Sequence, residues 1–199
     1  MPRSPRRTRA AARSGRLSAP ARVRRARTED VDRVRGIEAA AAKRFAGTAH
    51  PELASGSDQE LIPLAQLSAA VDAAQLLVAE LDGVVVGFAL LETLVGDAGP
   101  DAHLRELDVL PDAGRRGVGT ALIEAACAWG ASQDAARIVL TTFRDVVFNA
   151  PLYARRGFIE LSPEARGPVL DALLAAETDA GFSSSVRCAM ARPLSRSPT

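Results

Sequence analysis

The segment between Val109 and Leu122 carries residue types that bind anions. It reads VLPDAGRRGVGTAL and places three glycines and two arginines between an apolar run and a run with helical spacing. The first turn of a helix leaves its N–H groups unpaired and partly positive, and glycines let ligand atoms approach them. Arg115 and Arg116 add charge that suits a pyrophosphate or a sugar phosphate. The segment predicts a phosphate site, with a plain helix start as the alternative.

Two familiar phosphate-binding motifs do not fit this segment. A P-loop needs GK[ST], and a dinucleotide fingerprint needs GxGxxG, whereas the order here is Gly114-x-x-Gly117-x-Gly119. The preceding strand also contains Arg105, Glu106 and Asp108, although a central parallel strand buried on both faces should be apolar. The sequence therefore argues against a dinucleotide-binding fold.

That same strand offers a candidate general base. Strict alternation along an extended strand places Leu104, Glu106 and Asp108 on one face and Arg105, Leu107 and Val109 on the other. The two carboxylates then lie roughly 7 Å apart. Burial and a like charge both raise a carboxylate pKa, which suits a base that takes a proton from an ammonium group. The alternative is a solvated strand face.

The pattern along the chain predicts strands and helices in one unit. Asp82-Gly83 is a good type I′ turn pair for a hairpin, and Gly99-Pro100 indicates a loop. Mixed hairpins and crossover helices predict an α/β or α+β fold around one mixed sheet. The expected strands are 22–26, the two arms of the hairpin within 74–94, 103–111, 137–143, 158–161 and 183–191, and the expected helices are 31–45, 59–71, 119–133, 149–157 and 163–181.

Length and composition predict a single domain with polar tails. The chain has 199 residues and a formal net charge of +1, which argues against nucleic acid or an anionic membrane as the main partner. We expect a domain over 21–192, a disordered tail rich in arginine, proline and serine over 1–20, and a polar tail over 193–199. The alternative to a disordered N-terminal tail without a function is one that binds polyanions weakly.

The cysteines and histidines predict no metal site and no covalent chemistry. Cys127 and Cys188 have no metal-ligand spacing, and we expect two buried free thiols in a reducing cytoplasm. Cys127 and Trp129 lie in a helical run of small and apolar residues, so both are expected in the core. No apolar stretch reaches the roughly 18 residues of a membrane-spanning helix.

Two segments resemble the GCN5-related N-acetyltransferase (GNAT) family. ELDVLPDAGRRGVGTALIEAA is similar to the family's acetyl-CoA-binding segment, and NAPLYARRGF to its closing tyrosine helix. The resemblance covers roughly Val23 to Ala191 and implies a GNAT fold with about six to seven strands and four to five helices. It implies an enzyme that moves acetyl from acetyl-CoA to a primary amine by direct attack in a ternary complex. The alternative is a non-catalytic acyl-CoA-binding module.

The resemblance also implies roles for individual residues. The pantetheine arm would bond the backbone of Leu107, Asp108 and Val109, Glu106 would act as general base directly or through water, and Tyr153 as general acid. Tyr153 packed against Phe158 is the alternative. The implied cofactor-binding set further contains Gly114, Arg115, Arg116, Gly117, Val118, Gly119, Thr120, Asn149 and Tyr153.

Two positions depart from the family pattern. Gly114 stands where the family usually has Gln or Arg, and Val146 stands where it often has Asn, so Asn149 is the remaining candidate for a pantetheine contact. The acceptor pocket is expected to be shaped by 45–64, which holds His50, Glu52 and Asp58. A small-molecule or peptide amine fits this segment, and dimers are common in the family.

Overall fold

The computed structural model describes residues 20–54, 61–96 and 99–195. The predicted tails therefore lie mostly outside the described residues, as does Asp58. Seven strands form one sheet in the order β1-β2-β3-β4-β5-β7-β6, which confirms the predicted mixed sheet. The strands are β1 Arg22–Arg25, β2 Leu76–Leu81, β3 Val84–Gly96, β4 Gly99–Val109, β5 Arg137–Phe143, β6 Ile159–Glu160 and β7 Arg187–Pro193.

Helices cover both faces of the sheet. They are α1 Val31–Ala42, α2 Leu64–Asp72, α3 Val118–Ser132, α4 Ala150–Ala154 and α5 Pro163–Asp179. On one face, Leu122 and Ile123 of α3 pack on Leu91 and Ile138. On the other face, α1 and α2 bury one apolar cluster and α5 buries a second. Within the described ranges no helix is long and apolar enough to cross a lipid bilayer.

Most predicted elements form, and the differences have local causes. The Asp82-Gly83 turn has positive φ at both residues, as a type I′ hairpin requires. Gly99-Pro100 is not a loop, because β4 already begins at Gly99, which pairs with Gly96. The second helix begins at Leu64, since Pro63 disfavours helical backbone in the residue before it, and the predicted start at Gln59 lies outside the described residues. Gly167, with φ of 75°, breaks α5 next to Pro168.

A β-bulge at Arg105 changes which residues of β4 share a face. Leu90 pairs with Glu106 and Leu91 pairs with Leu104, so Arg105 has no partner in the ladder. Leu104 therefore packs in the α3-side core with Val109, and the expectation that it shares a face with Glu106 is wrong. Arg105 likewise does not join Leu107 and Val109, because it reaches Gln66 of α2 on the opposite face.

β4 and β5 pair over a very short length. These parallel strands pair only at Ala102 with Ile138 and at His103 with Val139, and then diverge. The backbone of β4 from Leu104 onward therefore borders an open cleft on this side. At the far end of α3, Gly130 sits so close to β4 that an added Cβ would lie 2.6 Å from the Cβ of Ala102.

Candidate functional site

The diverging strands open a cleft of about 1030 Å³. This volume lies at the upper end of what small-molecule sites usually offer. One wall is the second half of β4, and the opposite wall is formed by Thr141 to Phe143 of β5 and by α4. The head of α3 closes one end, and the C-terminal turn of α1 lies at the other.

The loop before α3 has a backbone shaped to present amides. Arg115 has φ of 60° and Gly117 has φ of 81°, both in the left-handed region. A non-glycine residue held there carries strain, and such strain is frequent at ligand sites. Gly117 caps α3 without a side-chain hydrogen bond, and a Cβ added to it would meet nothing within 4 Å. The space at Gly117 leaves room for an anion beside the first amides of α3, and the phosphate site stays a prediction of the glycine pattern.

Three acidic side chains line the other end of the cleft. Burial and the charge of Glu38 raise the pKa of Glu106 to about 7. Burial and the charge of Glu106 hold the pKa of Asp108 well above its usual range, with Arg44 acting in the opposite direction. Burial also raises the pKa of Glu38, although its carboxylate accepts a hydrogen bond from the Ile62 N–H at 3.0 Å. At neutral pH this end of the cleft can therefore both hold and release protons.

Tyr153 joins the acidic end of the cleft from α4. Burial and the charges of Glu106 and Asp108 raise the pKa of the phenol, so it keeps its proton at neutral pH. Its ring also packs edge-to-face on Phe158, with centroids 5.5 Å apart. Tyr153 therefore both packs on Phe158 and faces the cleft. Asn149 lies just before α4, and its carbonyl accepts hydrogen bonds from the N–H groups of Leu152 and Tyr153.

The cleft brings together almost all of the residues that the sequence singles out. Arg116 does not line it, and Val146, at the position where the family often has Asn, is buried in the core. His50 and Glu52, both in the expected acceptor segment, do not line the cleft, and His50 contacts Phe143 and Asp145. Cys127 and Trp129 are core residues, as expected. The predicted site residues that line the cleft are Glu106, Leu107, Asp108, Val109, Gly114, Arg115, Gly117, Val118, Gly119, Thr120, Asn149 and Tyr153.

Sequence reasoning missed two arginines in the cleft wall. Arg155 and Arg156 follow Tyr153 directly and line the cleft. The Nε of Arg156 is buried and has no hydrogen-bond partner among the described residues. A buried guanidinium N–H without a partner is costly, and a phosphate oxygen is a good partner for it. The paired arginines in LYARRGF were the available signal.

The family match agrees with this geometry. Residues 42–158, more than half of the chain, match the family model described as Acetyltransferase (GNAT) family. The chain belongs to the GNAT acetyltransferase family. In this GNAT domain the matched region ends at Phe158, the last residue of the second motif that carried the resemblance.

Solved GNAT structures share the fold at low sequence identity. PaiA N-acetyltransferase from Thermoplasma acidophilum, in complex with coenzyme A, is 16% identical with a TM-score of 0.66, over 88% of this chain and 99% of that one. A GCN5-related N-acetyltransferase from Rhodopseudomonas palustris is 24% identical with a TM-score of 0.63, covering 89% and 98%. Ribosomal-protein-S18-alanine N-acetyltransferase from Escherichia coli is 17% identical with a TM-score of 0.57, covering 89% and 96%.

Proposed function

We propose that this GNAT domain transfers the acetyl group of acetyl-CoA to a primary amine. The observation that carries the proposal is one cleft that joins the left-handed loop at Gly117 to the carboxyl of Glu106 and the phenol of Tyr153. The complex of the Thermoplasma acidophilum protein with coenzyme A supports the choice of donor. The residues present fit that donor, because the space at Gly117 and the unpartnered Nε of Arg156 both suit phosphate oxygens.

The donor would lie along the second half of β4. Its pyrophosphate would accept hydrogen bonds from the amides of Arg115 to Thr120, with the side chain of Arg115 adding charge. Its pantetheine arm would bond the backbone of Leu107, Asp108 and Val109 on the side where β5 has diverged. Asn149 lines the facing wall and is the candidate for a further contact with that arm.

Glu106 is suited to receive the proton of the acceptor. An amine attacks a thioester only as the free base, so the ammonium group must lose a proton before attack. A carboxyl with a pKa of about 7 is a far better base than an ordinary one and is still largely ionised at slightly alkaline pH. The proton passes to Glu106 directly or through one water molecule.

Tyr153 is suited to stabilise the leaving thiolate. The raised pKa of the phenol makes it a weak acid, so it donates a hydrogen bond before it gives up its proton. The free amine attacks the carbonyl carbon, the C–N bond forms, and the C–S bond breaks with its electron pair on sulfur. Both substrates are present together, so no acetyl group is passed to Cys127, which is packed in the core.

Thiol release from acetyl-CoA with a panel of amines tests this function. We expect amine-dependent release with an N-acetylated product of the expected mass. Coenzyme A binding, measured by calorimetry, is the parallel measurement. Binding without release across the panel would favour the alternative, a non-catalytic acyl-CoA-binding module, and absence of binding would contradict both.

A further inference from the structure

A short segment after α1 crosses the acceptor end of the cleft. We call residues 43–54 the bridge; they form two 3-10 turns, Lys43–Gly47 and Pro51–Ala54. The bridge contacts the stretch that joins β5 to α4 on the far side of the cleft. Nε2 of His50 lies 3.0 Å from a carboxylate oxygen of Asp145, and the His50 ring lies 4.5 Å from that of Phe143.

Aromatic contacts add to this crossing. The Phe45 ring lies edge-on to Phe148 at 5.3 Å and to Phe143 at 5.9 Å. The guanidinium carbon of Arg44 lies 4.1 Å from the centroid of Phe148. The bridge therefore ties the two sides of the cleft together at the end where the acceptor must lie.

Four phenyl rings line the cleft at the bridge. Phe45, Phe143, Phe148 and Phe182 all line the cleft, and Phe182 packs edge-on to Phe143 at 5.8 Å. Phenyl rings offer no hydrogen bonds to a peptide backbone, whose groups would then be buried without partners. They do offer flat surfaces to a carbon-rich body and to a cation.

Three arginines, Arg44, Arg105 and Arg187, also line this end of the cleft. Arg187 donates hydrogen bonds to Glu177 and Thr141, and Arg44 stacks on Phe148. In contrast, the carboxyls of Glu106 and Asp108 have no side-chain hydrogen-bond partner in the part of the chain that the structure describes. An amine can therefore be received beside these two carboxyls, with the phenyl rings facing the rest of the acceptor.

We propose that the acceptor is a small primary amine on an aromatic or extended aliphatic body, and that the bridge excludes peptides. This inference rests on the proposed acetyl transfer. It commits to one of the two acceptor classes that the sequence left open. His50 acts as a positioning residue, because it holds the bridge closed through Asp145 and Phe143.

The test compares matched acceptors with acetyl-CoA as donor. The panel is 2-phenylethylamine and a hexapeptide with an N-terminal phenylalanine. We expect kcat/KM for 2-phenylethylamine to exceed that for the peptide about a hundred-fold, since site-specific polar mismatches give differences of this order or larger. Peptide acetylation as efficient as that of the small amine would overturn the inference and leave the proposed function standing.

Loosening the bridge supplies an independent readout. In His50→Ala we expect the ratio of peptide to small-amine kcat/KM to rise at least five-fold, because the crossing contacts are lost. A fold defect would lower both values equally, and an unchanged ratio in a folded variant would overturn the role of the bridge. Arg22→Gln, on the exposed edge strand, is the matched control and keeps the wild-type ratio. If no amine releases thiol, the proposed function fails and this inference fails with it.

Discussion

Burial and the neighbouring carboxylate of Glu106 hold the pKa of Asp108 well above its usual range. The two residues project from the same face of β4 after the bulge, roughly 7 Å apart along the strand. Because each ionised carboxyl disfavours the other, the first proton leaves this pair more easily than the second. The site is thereby prepared to take up a proton at neutral pH.

Glu106→Gln should remove the pH dependence of turnover near neutrality. The pKa of about 7 means that the wild-type base is protonated below pH 7 and active above it, so kcat/KM rises with pH through that value. We expect the variant to lose about 10²–10⁴ in kcat/KM at pH 8, the usual contribution of a general base. A pH–rate profile checks both effects, and a variant profile that overlays the wild type would exclude Glu106 as the base.

The same substitution should stabilise the fold at alkaline pH. The pKa of Glu106 is raised from 4.5 to about 7 on folding, so the native state binds more protons and the free energy of unfolding falls as pH rises between these values. Glu106→Gln removes this loss, and its Tm at pH 8 should exceed that of the wild type by a few degrees. Below pH 4 the Tm values of the variant and the wild type should converge. Glu29→Gln, at an exposed site, serves as the control for the loss of one carboxylate.

Tyr153→Phe should lower turnover and leave coenzyme A affinity nearly unchanged. The variant keeps the ring that packs on Phe158 and loses only the hydroxyl. We expect kcat to fall about 10²-fold when chemistry limits the rate, the lower range for a lost proton donor. Rapid-quench measurement of the chemical step is the appropriate assay, and an unaltered rate constant would show that the phenol only packs.

Gly117→Val should weaken coenzyme A binding by more than the accompanying loss of folding stability explains. The φ of 81° strains any residue with a Cβ, although no atom lies within 4 Å of the added group. A side chain there would occupy the space that we assign to phosphate oxygens. Gly83→Val is the matched control, since Gly83 has φ of 80° and equally open surroundings at a distant hairpin turn. Calorimetric Kd values that change equally in both variants would contradict the phosphate site.

Arg156→Gln should weaken binding of coenzyme A about ten-fold, the effect expected for one lost hydrogen bond to a charged group. Affinity for pantetheine, which has no phosphate, should not change. The comparison isolates a phosphate contact, because a general distortion of the cleft would affect both ligands. Equal losses for the two ligands would assign the unpartnered Nε to packing alone.

The sequence predicts the position of the loop before α3 well because its signal is local. Gly117 and Gly119 stand beside a helix start, and no distant partner is needed to interpret them. The pairing of Glu106 with Asp108 is also local, since both residues follow the bulge on one uninterrupted stretch of strand. The error at Leu104 arises because the bulge at Arg105 carries no glycine or proline and depends on the register with β3.

The acceptor end could not be predicted in the same way. Phe45, Phe143, Phe148 and Phe182 belong to separate segments, and only the folded chain brings their rings together. The contact of His50 with Asp145 spans 95 positions in sequence, so spacing gives no hint of it. Sequence alone could not single out Arg156, because the lack of a hydrogen-bond partner for its buried Nε is visible only in the folded chain.

The close approach at Gly130 fixes the position of α3 at the end of the helix that is far from the proposed reaction site. Roughly 20 Å of helix separate Gly130 from Gly117. A single methyl group added at Gly130 would push against Ala102 on one side and Leu194 on the other. A tilt of a few degrees there would carry the amides at the other end sideways by about an ångström. Residue size at Gly130 would therefore alter the position of the loop that we propose to bind the donor.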